Sequence, residues 1–233
     1  MNDESRKVDS GCDGLGCACD FGPSTGASIG AHFDSKVRRA APGAESSQHA
    51  TSLALLELLG DATEQTVLEL GCGRGGLMLE LLRAGASGAS GVELSGASIE
   101  QARGRFAESG LADRVSLTVG DAAKVVLHPH DWVVLDRVIC CYPDADRLLA
   151  NSIPAARRQY AFSVPNSRGW RGLAARASRW FDNSWNALRR RPCATFVHDV
   201  DRIESALTSA GFSRRANATR GLWYVAVYQH VNG

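Results

Sequence analysis

Val67-Leu68-Glu69-Leu70-Gly71-Cys72-Gly73-Arg74-Gly75-Gly76 runs from an apolar stretch directly into a cluster of glycines. Thr66 to Leu70 reads as a short buried strand, and the segment carrying Leu77, Leu81 and Leu82 as the helix after it. Glycines between the two let the chain turn sharply and let a ligand approach the backbone, where side chains would block it. Gly71, Gly73 and Gly76 satisfy the literal G-x-G-x-x-G spacing, so the glycines alone do not separate one nucleotide-containing cofactor from another.

Outward from this turn the strand-helix unit recurs. Leu53, Leu56 and Leu59, with Leu55 and Leu58 between them, predict a helix ahead of the first strand that stops at Gly60. Ala89 to Glu93 reads as a second strand, Ser95 as an N-cap, Ile99, Ala102 and Phe106 as one helical face, and Gly110 as its stop. Val115 to Val119, Trp132 to Leu135 and Tyr160 to Val164 supply three more strands. Strands separated by helix-length segments predict a parallel sheet covered by helices on both faces. Near the end, Ile203, Ala206, Leu207 and Ala210 form a helical face that stops at Gly211. Phe212 to Ala218 and Leu222 to Gln229 follow as adjacent strands, which without an intervening helix must pair antiparallel. The expected fold class is α/β and Rossmann-like, a mostly parallel seven-stranded sheet ending in an antiparallel hairpin.

The chain of 233 residues is 44% hydrophobic and 22% charged, enough for one compact domain with its own core. Residues 1–45 read as a Cys/Gly-rich, irregular N-terminal arm, and 46–233 as the ligand-binding domain. No apolar run has the length of a membrane span, and Met1 to Ser10 lacks a signal-type stretch, so the expected location is the cytoplasm. A net charge of +1 supplies no field for gathering nucleic acid. Cys12, Cys17 and Cys19, spaced C-x4-C-x-C with His32 further on, do not match the usual zinc spacing, and no metal is assigned to them.

Three carboxylates separate the cofactors that the glycines leave open. Glu69 ends the first strand, where its charge attracts the cationic methionine part of S-adenosylmethionine (SAM) and repels a pyrophosphate. Glu93 ends the second strand, placed to accept hydrogen bonds from ribose hydroxyls, and Asp121 in Gly120-Asp121-Ala122 follows the third, placed to accept from an adenine amino group. Carboxyl ends of successive parallel strands line one crevice, so all three converge on one edge.

In these residues and their order the chain resembles the class I SAM-dependent methyltransferases, over about residues 50 to 230. The family's glycine-rich motif is similar to Glu69 to Gly75, its ribose acid to Glu93, its adenine-side acid to Asp121, and its terminal hairpin to the strands after Ala210-Gly211-Phe212. The resemblance implies SAM as cofactor, S-adenosylhomocysteine as product, and cofactor contacts from Glu69, Gly71, Cys72, Gly73, Gly75, Glu93, Leu94, Asp121, Ala122 and Asp136. Leu135-Asp136-Arg137-Val138-Ile139-Cys140-Cys141-Tyr142-Pro143-Asp144, the Cys-rich start, Phe196-Val197-His198 and Gly221-Leu222-Trp223 resemble a narrower group of uncharacterised bacterial methyltransferases, grouped with the magnesium-protoporphyrin O-methyltransferases. The arm departs from the Arg-rich helix expected in that group.

The expected partner is a small-molecule methyl acceptor, with O-methylation favoured. Asp136, Arg137, Cys140, Cys141 and Tyr142 follow the fourth strand at the acceptor edge, either orienting the acceptor or packing and capping. Asp136, Tyr142 and His198 are the candidate catalytic residues; His198 is either a base with a near-neutral pKa or a helix-entry residue beside the N-cap Asp199. Asn166 to Pro192 holds seven arginines against one acid, Asp182, and Trp170, Leu173, Ala174, Ala177, Phe181 and Leu188 recur at helical spacing. Three readings stay open for it: a covering helix, a lid that brings Arg168, Trp170 and Arg171 to an acidic acceptor, or a helix resting on a membrane surface. Two other functions are carried alongside methyl transfer, an NAD-dependent oxidoreductase on the literal glycine spacing and a non-catalytic SAM-binding module. Cys141-Tyr142-Pro143-Asp144 replaces the Asn/Asp-Pro-Pro-Tyr/Phe signature expected of nucleic-acid amino-methyltransferases, which argues against base methylation.

Overall fold

The computed structural model describes residues 23–39, 49–188 and 194–232. In chain order its main elements are α1 (Pro23–Arg39), α2 (Ala50–Leu59), β1 (Thr66–Leu70), α3 (Gly76–Arg83), β2 (Gly88–Glu93), α4 (Gly96–Glu108) and β3 (Val115–Val119). Then come β4 (His130–Asp136), α5 (Ala145–Ser152), β5 (Ala156–Pro165), α6 (Gly169–Leu188), α7 (Val200–Ser209), β6 (Phe212–Arg220) and β7 (Trp223–His230). The seven strands form one sheet in the order β3-β2-β1-β4-β5-β7-β6. Strands β1 to β5 run parallel, and β7 pairs antiparallel with both β5 and β6.

This order has a consequence for binding. The chain winds outward from β1 through β2 to β3, then returns to β4 and winds the other way. The connections after β1 and β4 diverge to opposite faces, and the crevice between them is where open parallel sheets hold ligands. Both faces of the strands beside it are buried. On β4, Val133 and Leu135 join the cluster with Leu148, Tyr160 and Phe162, while Trp132 and Val134 join the one with Leu55, Met78 and Ile99. A strand covered on both sides needs apolar residues at consecutive positions, which is why Trp132 to Leu135 of β4 form an unbroken apolar run and Glu69 alone interrupts the one in β1.

Local chemistry sets the helix boundaries. Ser95 Oγ accepts the Ser98 N–H at 3.1 Å and caps α4, and Asp199 accepts from the Asp201 N–H to cap α7. On α2 the buried residues are Thr51, Ser52, Ala54, Leu55 and Leu59, whereas Leu53 is 52% exposed, so the inward face is rotated from the expected one.

The arm departs from expectation. Residues 23–39 form a helix instead of an irregular segment, and α1 packs against α4. Gly30 makes the approach possible, because a Cβ there would lie 2.9 Å from the Leu94 carbonyl oxygen. Asp34 Oδ1 accepts from Ser95 Oγ at 2.6 Å and from the Ala97 N–H at 3.0 Å, adding a second cap to α4 from outside the helix. Those two hydrogen bonds, the Ser95 one foremost, hold the Asp34 carboxyl below its ordinary pKa. Cys12, Cys17 and Cys19 lie outside the described residues.

Candidate active site

The carboxyl ends of β1 to β4 open into two adjoining cavities of about 540 and 250 Å³, which share Phe33, Gly71, Gly73, Ser98, Asp136, Arg137 and Cys141 as lining residues. The glycine turn is their floor. Gly71 has φ +70°, and a Cβ there would collide with Val138 at 2.4 Å, so no side chain fits. Gly73, at φ +51°, differs: a Cβ would meet no protein atom within 4 Å. The backbone at Gly73 thus borders open space.

The carboxylates gather around this space. Glu69 is 4% exposed and accepts the Met78 N–H at 3.2 Å, capping α3. Burial, then the neighbouring charges of Asp136 and Glu93, push its pKa well above the ordinary range, while the Met78 bond opposes them. Glu93 holds the turn itself, Oε2 accepting from the Gly73 N–H at 3.0 Å and Oε1 from the Ser95 N–H at 2.9 Å. Asp121 Oδ1 accepts from the Ala123 N–H at 3.0 Å and from the Tyr142 hydroxyl at 2.9 Å, and Oδ2 lies 3.3 Å from Lys124 Nζ. Glu93, Leu94, Asp121, Ala122 and Tyr142 line the smaller cavity; Glu69, Cys72, Cys140 and Arg74 line the larger. Gly75 borders neither of them; a Cβ there would meet the Phe106 ring at 2.7 Å, so this glycine serves helix packing.

Asp136 stands where the cavities join. Ser52 and Ser163 each donate to it at 2.5 Å, and Ser163 Oγ in turn accepts the Arg137 N–H at 2.9 Å. This support holds Arg137 at φ +61°, a left-handed conformation that a residue with a side chain rarely adopts. Its guanidinium lies 4.9 Å from the Trp223 ring centroid, and its Nε is buried without a hydrogen-bond partner among the described residues. Both Cys140 and Cys141 direct Sγ at the Arg137 carbonyl, at 3.5 and 3.6 Å. A hydrogen bond between the two thiols raises Cys140 and lowers Cys141. Burial pushes the Cys72 thiol up, in keeping with a small filler beneath the turn.

Four further expected site residues sit elsewhere. His198 lines neither cavity; its Nε2 lies 2.8 Å from the Tyr142 carbonyl oxygen and ties the loop before α7 to the loop after β4. Burial lowers its pKa, and the carbonyl acceptors at Tyr142 and Ile139 oppose that. Arg168 turns away from the cavities to pair with Asp201 and with Glu204, the latter at 2.7 Å, and lies 5.2 Å from the Tyr224 ring centroid. Trp170 is 66% exposed, with the Arg171 guanidinium over its ring at 4.8 Å. Neither of these two residues lines the cavities, so the lid reading of α6 with its apolar stripe inward is overturned.

The lining also contains residues that sequence reasoning missed. Arg179 reaches the larger cavity from the polar side of α6, and Thr195 and Trp223 complete that wall. Phe33 and Val37 of α1 line the other side. Arg179 stood in the sequence among seven similar arginines, with nothing to single it out. The i+4 spacing of Phe33 and Val37 is the one signal in the arm that pointed to them.

Residues 67–158 match the family model for a methyltransferase domain. Among curated proteins, aclacinomycin 10-hydroxylase RdmB of Streptomyces purpurascens is 42% identical over 83 residues, 35% of this chain and 22% of that protein. Ribosomal RNA small subunit methyltransferase A of Prochlorococcus marinus is 38% identical over 80 residues, 34% of this chain and 28% of that one. The chain thus matches less than a third of the length of either curated relative, and their names do not agree on an acceptor. Among solved structures, magnesium protoporphyrin IX methyltransferase of Synechocystis PCC 6803 with bound S-adenosylhomocysteine superposes with a TM-score of 0.67 at 17% identity, covering 88% of this chain and 99% of that one. Residues 67–158 are thus similar to a methyltransferase domain, and the described residues share the fold of that S-adenosylhomocysteine-bound methyltransferase.

Proposed function

We propose that this chain transfers the methyl group of SAM to a small, acidic, partly apolar acceptor, with O-methylation favoured. The observation that carries the reading is the lining of the joined cavities: Glu93 and Asp121 in the smaller, Asp136 and Arg137 where the two join, and Arg74 and Arg179 beside Glu69, Val37 and Trp223 in the larger. The open backbone at Gly73 and the positions of Glu93 and Asp121 fit the ribose and adenine of SAM, and Glu69 fits its cationic end. SAM, when bound, supplies an electrophilic methyl on a sulfonium. The negative charges of Asp136 and Glu93, which join burial in raising the Glu69 pKa, disfavour the pyrophosphate of NAD.

His198 is held by a backbone carbonyl outside the cavities and is not assigned as a base, and His49 is the histidine that lines the larger cavity. An acidic acceptor does not require a base, because its oxyanion is already formed and needs only to be aimed. Arg137, whose buried Nε has no hydrogen-bond partner among the described residues, and Arg179 both line the larger cavity and are the donors assigned to that task. Positioning of this kind accounts for roughly 7 to 11 kcal/mol of a barrier in favourable systems. The reaction is assigned to the cytoplasm in this reading.

Calorimetry with SAM, S-adenosylhomocysteine and NAD, followed by mass spectrometry of compound pools incubated with labelled SAM, tests the proposal. SAM binding and a methylated acid are expected, with Arg179→Ala raising the KM for that acid about tenfold or more while SAM affinity holds. NAD binding without SAM binding would overturn the cofactor. SAM binding without turnover on any pool would favour the non-catalytic binding module.

A further inference from the structure

Helix α6 is amphipathic in the direction opposite to that expected of a helix covering a core. Gly172 and Ala175 are its buried residues, Arg179 lines the larger cavity, and Asn183 exchanges two hydrogen bonds with the Thr195 backbone, at 2.8 and 2.9 Å. At 3.6 residues per turn, Trp170, Leu173, Trp180, Phe181, Trp185 and Leu188 fall within an arc of about 140° on the other side. Each is more than half exposed, from 54% at Trp185 to 76% at Leu188. Six contiguous large apolar side chains on one outward face exceed what scattered surface hydrophobics explain.

We propose that this face docks on an anionic lipid surface, with α6 lying in the interfacial plane. Trp, Phe and Leu on one side with arginines at the borders is the composition of an interfacial helix. By the same wheel Arg171 and Arg176 border the arc on either side, and Arg189, Arg190 and Arg191 follow α6 in the sequence. The helix holds a single acid, Asp182, which pairs with Arg179 at 3.3 Å and leaves the border cationic. That charge separates a lipid surface from a second copy of this chain, since face-to-face pairing would oppose arginine borders of like sign. Among the described residues no helix is long and apolar enough to cross a membrane, so α6 lies along the surface. The docking is independent of methyl transfer, because Arg179 serves the cavity from the opposite side of the helix.

The test is cosedimentation of the full chain with phosphatidylcholine vesicles with and without phosphatidylglycerol, at low and high salt. Three of the five tryptophans lie on α6, so emission reports contact directly. Binding to the anionic vesicles that weakens with salt, with a blue shift, is expected. Trp180→Ser combined with Phe181→Ser changes two exposed positions, and the variant is expected to melt like wild type while partitioning at least about tenfold more weakly. Arg176→Glu is expected to weaken anionic binding by about fivefold or more and to leave neutral vesicles unaffected. Wild-type protein staying in the supernatant at low salt would overturn the proposal. So would a dimer that the double serine variant dissolves while neither protein binds vesicles, which would assign the face to self-association.

Discussion

Glu69 serves two purposes that oppose each other in the free protein. Its carboxylate caps α3 through the Met78 N–H, yet burial and the charges of Asp136 and Glu93 raise its pKa. An acid whose folded pKa lies above its ordinary value of 4.5 binds more protons folded than unfolded, so stability falls as pH rises from that value through the folded pKa. Glu69→Gln is therefore expected to stabilise the free protein at pH above that range, by about 1 kcal/mol or more, in thermal denaturation followed against pH. The same substitution is expected to weaken SAM binding, since it removes the negative charge proposed to attract the sulfonium and ammonium groups of the ligand. Equal melting curves across the pH range would show that Glu69 remains solvated. In the sequence, position alone marked Glu69, two residues before the first glycine; its helix-capping bond and raised pKa follow from neighbours distant along the chain.

At the level of elements, the two helices furthest from expectation are α1 and α6, for different reasons. Helix α1 carries no broad apolar stripe, and its attachment rests on a close glycine contact and on Asp34 bonding Ser95 and Ala97. Beyond the i+4 pair Phe33 and Val37, periodicity gives such a helix little signal, because its partners lie across the fold. Asp34→Ala is expected to loosen the Phe33 and Val37 wall, lowering SAM affinity by roughly tenfold and speeding proteolysis of the arm, with the global melt little changed. Unchanged affinity together with unchanged proteolysis would show that the Gly30 contact suffices. Helix α6, by contrast, was legible as an amphipathic helix, but a helical period does not say which side meets the protein. The Asn183 and Thr195 bonds and the Arg168 ion pairs fix its rotation and turn the stripe outward.

Across the whole molecule, Arg168 is a junction of elements and lies away from the cavities. It joins the start of α6 to Asp201 and Glu204 of α7, and Glu204 also takes the Tyr224 hydroxyl at 2.6 Å and Arg214 at 3.2 Å, tying in β7 and β6. The pairing raises the Arg168 pKa and lowers that of Glu204 against the opposing effect of burial on each. Arg168→Ala is expected to cost on the order of 1 kcal/mol, measured by denaturant unfolding, with SAM affinity by calorimetry unchanged. A loss of methylation with stability and SAM affinity unchanged would return Arg168 to the acceptor site. Local pattern determined the strand and helix sequence, the glycine turn, the carboxylates at successive strand ends and the final hairpin, because periodicity, capping and turn chemistry act over a few residues. The tertiary structure alone decided the placing of Arg179 at the larger cavity, the tether at His198, the attachment of α1 and the outward face of α6. Each of those depends on side chains that the sheet order brings together from distant parts of the chain, and on a helix rotation that no single segment encodes.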